Sequence, residues 1–254
     1  HMMIDRLAHP FSQVLFPTLS KVQKDDARLA AGYLKSVKLV AFVVFPLLAG
    51  LAVVAYSAVA VLWGQKWLSI VLALQLLCFR AAISSVLISI GAIFLCKNRP
   101  DLPFKFGLLE FAVTFAAVGI LGYWLGLEGV AMGMVIGVFP GLYMAYFALR
   151  MIHQPIWGLV QALWPPLAGT MGCVASALGA KVIAESLGMP HWGVLAIAVP
   201  AGFLAYFGVL FIGFPDQIKW IKEMIILVLR KSPMTGQEQQ GVTKQPTDGQ
   251  VELD

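Results

Sequence analysis

Six long apolar runs decide what this chain can fold into. They lie at about 37–62, 69–95, 104–124, 130–149, 159–182 and 193–213, each near the twenty residues an α-helix needs to cross a bilayer. Backbone N–H and C=O groups find no water in hydrocarbon, so a spanning segment must bond internally as a helix or close into a barrel. None of the runs alternates apolar and polar residues as a barrel strand does, which leaves helix. Composition agrees: 59% of the 254 residues are apolar and 12% charged, against about 25% charged in an average soluble domain. The expected fold class is all-α, a polytopic membrane helix bundle with six full transmembrane helices.

The basic residues then orient the bundle. Thirteen lie in alternate connections on one side: Lys21, Lys24, Arg28, Lys35, Lys38, Lys97, Arg99, Lys105, Arg150, Lys219, Lys222, Arg230 and Lys231. The opposite side holds two, Lys66 and Lys181. This bias places the basic side, including the C-terminus, in the cytoplasm. It also absorbs the net charge of +5, so no nucleic-acid partner is expected. Three cysteines, Cys78, Cys96 and Cys173, all in or beside apolar runs, exclude a disulfide scaffold.

Outside the six spans, residues 1–20 are too short and broken to cross, although Phe11 to Leu19 has the character of the last turns of a helix. With the opening His1-Met2-Met3, this predicts a truncated N-terminal helix at 1–20 and a chain that is a fragment. Residues 21–36 read as a cytoplasmic loop and 37–213 as the bundle. From 214 to 231 an apolar stripe of Ile218, Ile221, Ile225 and Val228 predicts an amphipathic helix in the cytoplasmic interface. Residues 232–254, rich in Gln, Gly, Thr and Pro, read as a disordered tail.

Two small-residue ladders mark close helix packing: Gly129, Gly133, Gly137 and Gly141 in the fourth span, and Ala168, Gly172, Ser176 and Ala180 in the fifth. Static packing is the plainer reading, a sliding interface the alternative. Arg80 sits near the middle of the second span, where an ionised side chain costs at least about 2.5–3.5 kcal/mol unless it faces the bundle interior or water. Ser84 follows one turn later on the same face, and Glu110 in the next span is positioned either to pair with Arg80 or to bind a coupling ion. Arg6 is a weaker candidate in the truncated helix. Lys38, Lys105 and Lys181 lie near helix ends and read as snorkelling. The four histidines show no metal-binding spacing, and no nucleophile elbow or phosphate loop appears, so no metal, cofactor or catalytic residue is expected.

Several short segments occur in an order that resembles a known family. Val14-Leu15-Phe16-Pro17-Thr18-Leu19-Ser20-Lys21-Val22-Gln23 precedes the charged connection. Leu62-Trp63-Gly64-Gln65-Lys66-Trp67 follows the first span, and Lys97-Asn98-Arg99-Pro100-Asp101-Leu102 follows the second. Gly126-Leu127-Glu128-Gly129-Val130-Ala131 opens the fourth. Together, over about residues 4–230, these resemble the polysaccharide transporters, the Wzx-type lipid-linked oligosaccharide flippases of the multidrug/oligosaccharidyl-lipid/polysaccharide (MOP) exporter superfamily. The family pattern is up to fourteen helices in two lobes, on which this chain corresponds to helices 8–14. The resemblance implies a bacterial inner-membrane protein that passes an undecaprenyl-diphosphate-linked glycan to the periplasmic leaflet by alternating access. Its partners would be that lipid-linked oligosaccharide, membrane lipids and the N-terminal lobe, without which this chain is expected to be inactive. In that picture Arg80, with Ser84 and Arg6, contacts the anionic headgroup. The alternatives are a membrane-embedded glycan-assembly enzyme (a polymerase or acyltransferase) and a non-catalytic membrane subunit.

Overall fold

A computed structural model describes residues 26–213, all within one compact unit. These residues are helical throughout, with no strand among them. Helix α1 runs Asp26–Leu62 and is followed by a short 3₁₀ helix, Gln65–Ile70. Then come α2 (Val71–Leu87), α3 (Ile90–Cys96), α4 (Asp101–Ile136), α5 (Phe139–Met151), α6 (Ile156–Ser186) and α7 (His191–Gly213). The expected features at 1–20 and 214–254, and Arg6 with them, lie outside the described residues.

The number of crossings takes a closer look. Five unbroken or nearly unbroken helical stretches are long and apolar enough to span, where six runs were expected. The difference lies at Asp101–Met151, which counts as a single 51-residue stretch and merges the expected spans at 104–124 and 130–149. A straight helix of that length would measure about 77 Å, more than twice the hydrocarbon thickness. It is not straight. Gly126 has φ 62° and ψ −135°, a conformation open only to glycine, and the chain reverses there. The glycine ladder proves the reversal. A Cβ added at Gly133 would lie 2.7 Å from the Val118 backbone, fifteen residues away, although one helix would separate these residues by about 22 Å. Likewise Gly129 abuts Leu121, Gly137 abuts Thr114 and Gly141 faces Leu87 and Glu110. Residues 101–125 and 127–151 thus form an antiparallel helical hairpin whose return limb lays its glycines directly on the first limb.

A second difference concerns the start of α1. Residues 26–36, expected within a loop, form the first three turns of the helix. Leu29, Ala30, Tyr33 and Val37 recur at helical spacing and are fully buried, so packing overrides the charges that suggested a loop. They join Ile90, Ile93 and Phe94 of α3 and Ala148, Leu149 and Ile152 at the end of α5 in one core. That core lies at the end of the bundle carrying Lys97, Arg99, Lys105 and Arg150, called here the basic end. Asp26 ties it together: its carboxylate accepts a 2.5 Å hydrogen bond from Lys97 Nζ and stands 3.7 Å from His153 Nδ1. The Lys97 hydrogen bond, with its charge, holds the Asp26 carboxyl below its usual value of 3.8, against the opposing effect of burial.

The second small-residue ladder packs α6 on α7. Gly172 leaves room for Val209, Gly169 for the Tyr206 ring, and Ser176 Oγ donates 3.1 Å to the Ala201 carbonyl. Both ladders therefore serve close static contact.

Two predictions test these packings. An alanine at Gly137 would place its Cβ 2.0 Å from Thr114 Oγ1, so Gly137→Ala is expected to cost about 1–3 kcal/mol. Adding Thr114→Gly should recover part of that loss in detergent thermal melts; no recovery would refute the hairpin contact. For Asp26, whose folded value is depressed, the stabilisation is present above pH 3.8 and lost as pH falls through the lower folded value. The stability gap between wild type and Asp26→Asn should accordingly be full at neutral pH and close under acid.

Candidate functional site: a polar joint and an apolar groove

Prolines inside spanning helices create the polar demands around which the site is built. Proline has no N–H to offer and displaces the carbonyl four residues earlier, so each one leaves backbone acceptors without a helical partner. Pro46 in α1 does this to Phe42. The freed carbonyl is taken by Tyr206 of α7, whose hydroxyl donates a buried 2.7 Å hydrogen bond. Pro140, in the first turn of α5, has no N–H for the Ile136 carbonyl, and the helical ladder is interrupted just before it. There the Val138 N–H turns to Val135, leaving the Met134 carbonyl that it would have capped. Arg80 fills the vacancy, its Nε donating 2.8 Å to Met134 O.

Arg80 then reaches the other limb of the hairpin. Its Nη2 stands 3.8 Å from Glu110 Oε1, an ion-pair distance, with the Arg80 side chain 16% and the Glu110 side chain 39% exposed. The guanidinium therefore joins α2 to both limbs. Glu110 and Thr114 occupy successive turns of the first limb against Gly141 and Gly137, so the glycine ladder also brings the carboxylate close to the break. Ser84 is half-buried, and its backbone carbonyl accepts the Ile88 N–H where α2 gives way to α3. That loosening is explained by Ser85, whose hydroxyl bonds back to Ala82 O, and by Ser89 and Gly91.

On the opposite face of α2 runs a groove of about 730 Å³, within the range of ligand sites. Its back is α1 from Phe45 to Val53, and its walls are α2 from Gln75 to Leu87 and α6 from Leu159 to Lys181. The core at the basic end closes its floor through Phe45, Val86 and Ala145. Polar groups on the wall are few. Gln75 donates 2.9 Å to the Ala52 carbonyl, Thr170 donates 2.7 Å to Pro166 O, and Lys181 stands near the far end. Arg80, Ser84 and Glu110 do not line this groove; α2 separates them from it. The charged pair and the large concavity are two places.

Comparison with known proteins fits this architecture. The family described as "Polysaccharide biosynthesis protein" matches residues 1–72. A Klebsiella pneumoniae protein named "Uncharacterized membrane protein in cps region" is 28% identical over 75% of this chain and 40% of its own length. The Escherichia coli K12 "Lipopolysaccharide biosynthesis protein WzxC" is 32% identical over 61% of this chain and 32% of its length. These matches support a Wzx-type polysaccharide-transporter family for the chain. The "Teichuronic acid biosynthesis protein TuaB" of Bacillus subtilis 168 is similar too, at 27% identity over 81% of this chain and 43% of its length. The chain thus spans less than half the length of these relatives, and no solved structure matches it.

The segments that resemble this family have structural roles. Gly126 makes the hairpin reversal, Gly129 permits its first close contact, and Lys97 caps the basic end on Asp26. Tyr206 and Gln75 were not singled out in the sequence. Their signal was available in principle: each proline in a span leaves a carbonyl to be served, and donors in other spans are few.

Arg80→Met removes both the Met134 hydrogen bond and the ion pair, whereas Glu110→Gln removes only the pair. The first should cost about 1.5–3 kcal/mol, as for hydrogen bonds to charged groups, and the second less than about 1 kcal/mol given the exposure of Glu110. Detergent thermal melts giving the reverse order would contradict the joint. Tyr206→Phe should cost about 0.6–1.7 kcal/mol, the measured span for hydrogen bonds between membrane helices.

Proposed function

We propose that this chain is the C-terminal portion of a flippase that moves an undecaprenyl-diphosphate-linked glycan from the cytoplasmic to the periplasmic leaflet of a bacterial inner membrane. The observation that carries the reading is the match to polysaccharide-biosynthesis membrane proteins along a helical bundle whose charge bias alternates with each crossing. In this orientation the basic end, with Asp26, Lys97 and Arg150, is cytoplasmic, as is the C-terminus.

Alternating access requires two lobes that rock around a midplane site, so the chain by itself does not transport. On the family pattern it contributes most of the second lobe, whose start lies before helix 8, and the two helices beyond it, and its partner is the preceding part of the transporter. Arg80 and Glu110 serve this lobe as the joint between α2 and the hairpin. The engagement of Arg80 with Met134 and Glu110, away from the groove, favours that role over direct headgroup contact. Ser84 shares the α2 segment beside the joint.

The test is complementation of a bacterium lacking its lipid-linked-glycan flippase. The chain fused in its natural frame to a preceding lobe should restore surface polysaccharide, and the chain alone should not. Restoration by the chain alone, or restored polymerisation without translocation, would overturn the proposal. In the restoring protein, Arg80→Lys should retain more export than Arg80→Met, because an ammonium still serves a carbonyl and a carboxylate while a thioether serves neither.

A further inference from the structure

One exposed face of α5 carries a cation above a run of aromatic rings. Phe139, Tyr143, Tyr146 and Arg150 recur at helical spacing on a single face, and all four are exposed. None of them lines the groove. The Arg150 guanidinium lies 5.4 Å over the centre of the Tyr146 ring, and the Tyr143 ring follows at 6.5 Å from Tyr146. Phe106 of the first hairpin limb buttresses Tyr143 edge-on at 5.9 Å. The cation is thus held along the face by a ring, and among the described residues no carboxylate stands within ion-pair distance of it.

The hairpin register brings more charge to this height. Its contacts step from Gly133 on Val118 to Gly137 on Thr114 and Gly141 beside Glu110, then to Phe106 against Tyr143 and Phe147. One further turn sets Leu102 at the height of Leu149, and both belong to the packing at the basic end. Asp101 and Lys105 therefore stand level with Arg150 and Tyr146. Arg99 and Lys105 share the one carboxylate of Asp101, at 3.5 and 3.9 Å, which leaves positive charge in excess here.

From Arg150 to Phe139 the face covers about 17 Å, close to the hydrocarbon depth of a single leaflet, roughly 15 Å. We propose that this face of α5 holds a diacyl phospholipid of net negative charge, its phosphate in the fork of Arg150 and one acyl chain along Tyr146, Tyr143 and Phe139. A guanidinium presents paired N–H donors to a phosphate, and the two phenol hydroxyls are donors for the ester carbonyls. A zwitterionic lipid fits less well, because its own ammonium is repelled by the excess charge of Arg99 and Lys105. Phe139 begins α5 directly after the break at Gly137–Val138, so the bound chain covers that break from the lipid side. This lipid is a structural one on the outside of the hairpin, and its site depends on neither the groove nor the transporter reading.

Native mass spectrometry of the 254-residue chain in detergent, with a thermal melt at each composition, tests the site. Phosphatidylglycerol and phosphatidylethanolamine of the same acyl chains are titrated separately. One phosphatidylglycerol should be retained several-fold more strongly than phosphatidylethanolamine, and it alone should raise the melting temperature. Glycerol phosphate, which has the charge without the chains, should not raise it. Arg150→Gln should weaken phosphatidylglycerol retention about fivefold, the effect of one basic residue at an anionic headgroup. Arg150→Lys should weaken it less, since an ammonium keeps the charge and loses the fork. Tyr143→Leu, with charge unaltered, should weaken it as well. Lys35→Gln, the same change of charge at an exposed position of α1, should leave it as it is.

Equal retention of the two lipids overturns the anionic assignment, and a melting shift from glycerol phosphate overturns the part given to the chain. Undiminished retention in Arg150→Gln, or an equal loss in Lys35→Gln, overturns the site itself. The complementation test is untouched by any of these results.

Discussion

A backbone carbonyl in hydrocarbon has no water to turn to, and the bundle is arranged around that demand. At Pro46 and at the α4–α5 junction, the orphaned carbonyl is met by a side chain from another helix. Tyr206 reaches across from α7 to Phe42 beneath Pro46, and Arg80 reaches from α2 to Met134 beside Pro140. Each of these bonds is at the same time a helix–helix contact. The prolines, which alone would weaken their helices, thus define where α1 meets α7 and where α2 meets the hairpin. Arginine suits the second place because its planar fork offers a nitrogen to the carbonyl and another to Glu110.

Close packing is concentrated in two helix pairs and one end. Gly129 and Gly133 set the return limb of the hairpin on the backbone of the first and Gly137 makes room for Thr114, while Gly169, Gly172 and Gly202 make room for the Tyr206, Val209 and Cys173 side chains between α6 and α7. The core of Leu29, Tyr33, Ile90, Phe94 and Ile152 seals the basic end. What remains between the α6–α7 pair and α2 is the groove, backed by α1 and, among the described residues, open on its remaining side. Its apolar wall follows from the same rule: facing lipid or a lipid chain, a helix with its own hydrogen bonds complete needs no polar side chain.

Much of this was legible in the sequence, because hydropathy and charge report on single helices. The six apolar runs and the alternation of basic residues both describe each segment against the membrane, independent of its neighbours. The cost of burying Arg80 was legible for the same reason, and it predicted an interior position beside Glu110. Partners were less so. The glycine ladder announced a close approach without saying that its partner was the preceding helix, and Gly126 carried no sign of its unusual backbone beyond being glycine. The start of α1 was misplaced because Asp26, Arg28 and Lys35 look solvated in one dimension, whereas Asp26 is engaged by Lys97 from another connection. The groove could not be read at all, since its lining is assembled from four helices, α1, α2, α5 and α6, whose lining faces are individually indistinguishable from lipid-facing ones.

The separation of the Arg80 joint from the groove has a mechanical consequence. Helix α2 carries the joint on one face and presents Gln75, Cys78, Ile83 and Val86 to the groove on another, so Arg80 ties the hairpin to a helix that walls the groove, beside the Leu142 and Ala145 that the hairpin itself contributes. The break at Ile88–Ser89 and the one at Gly137–Val138 leave each element a point at which to bend. A charged residue in the membrane that does not line the groove is in this way still part of its construction, through the wall helix it fastens to the hairpin.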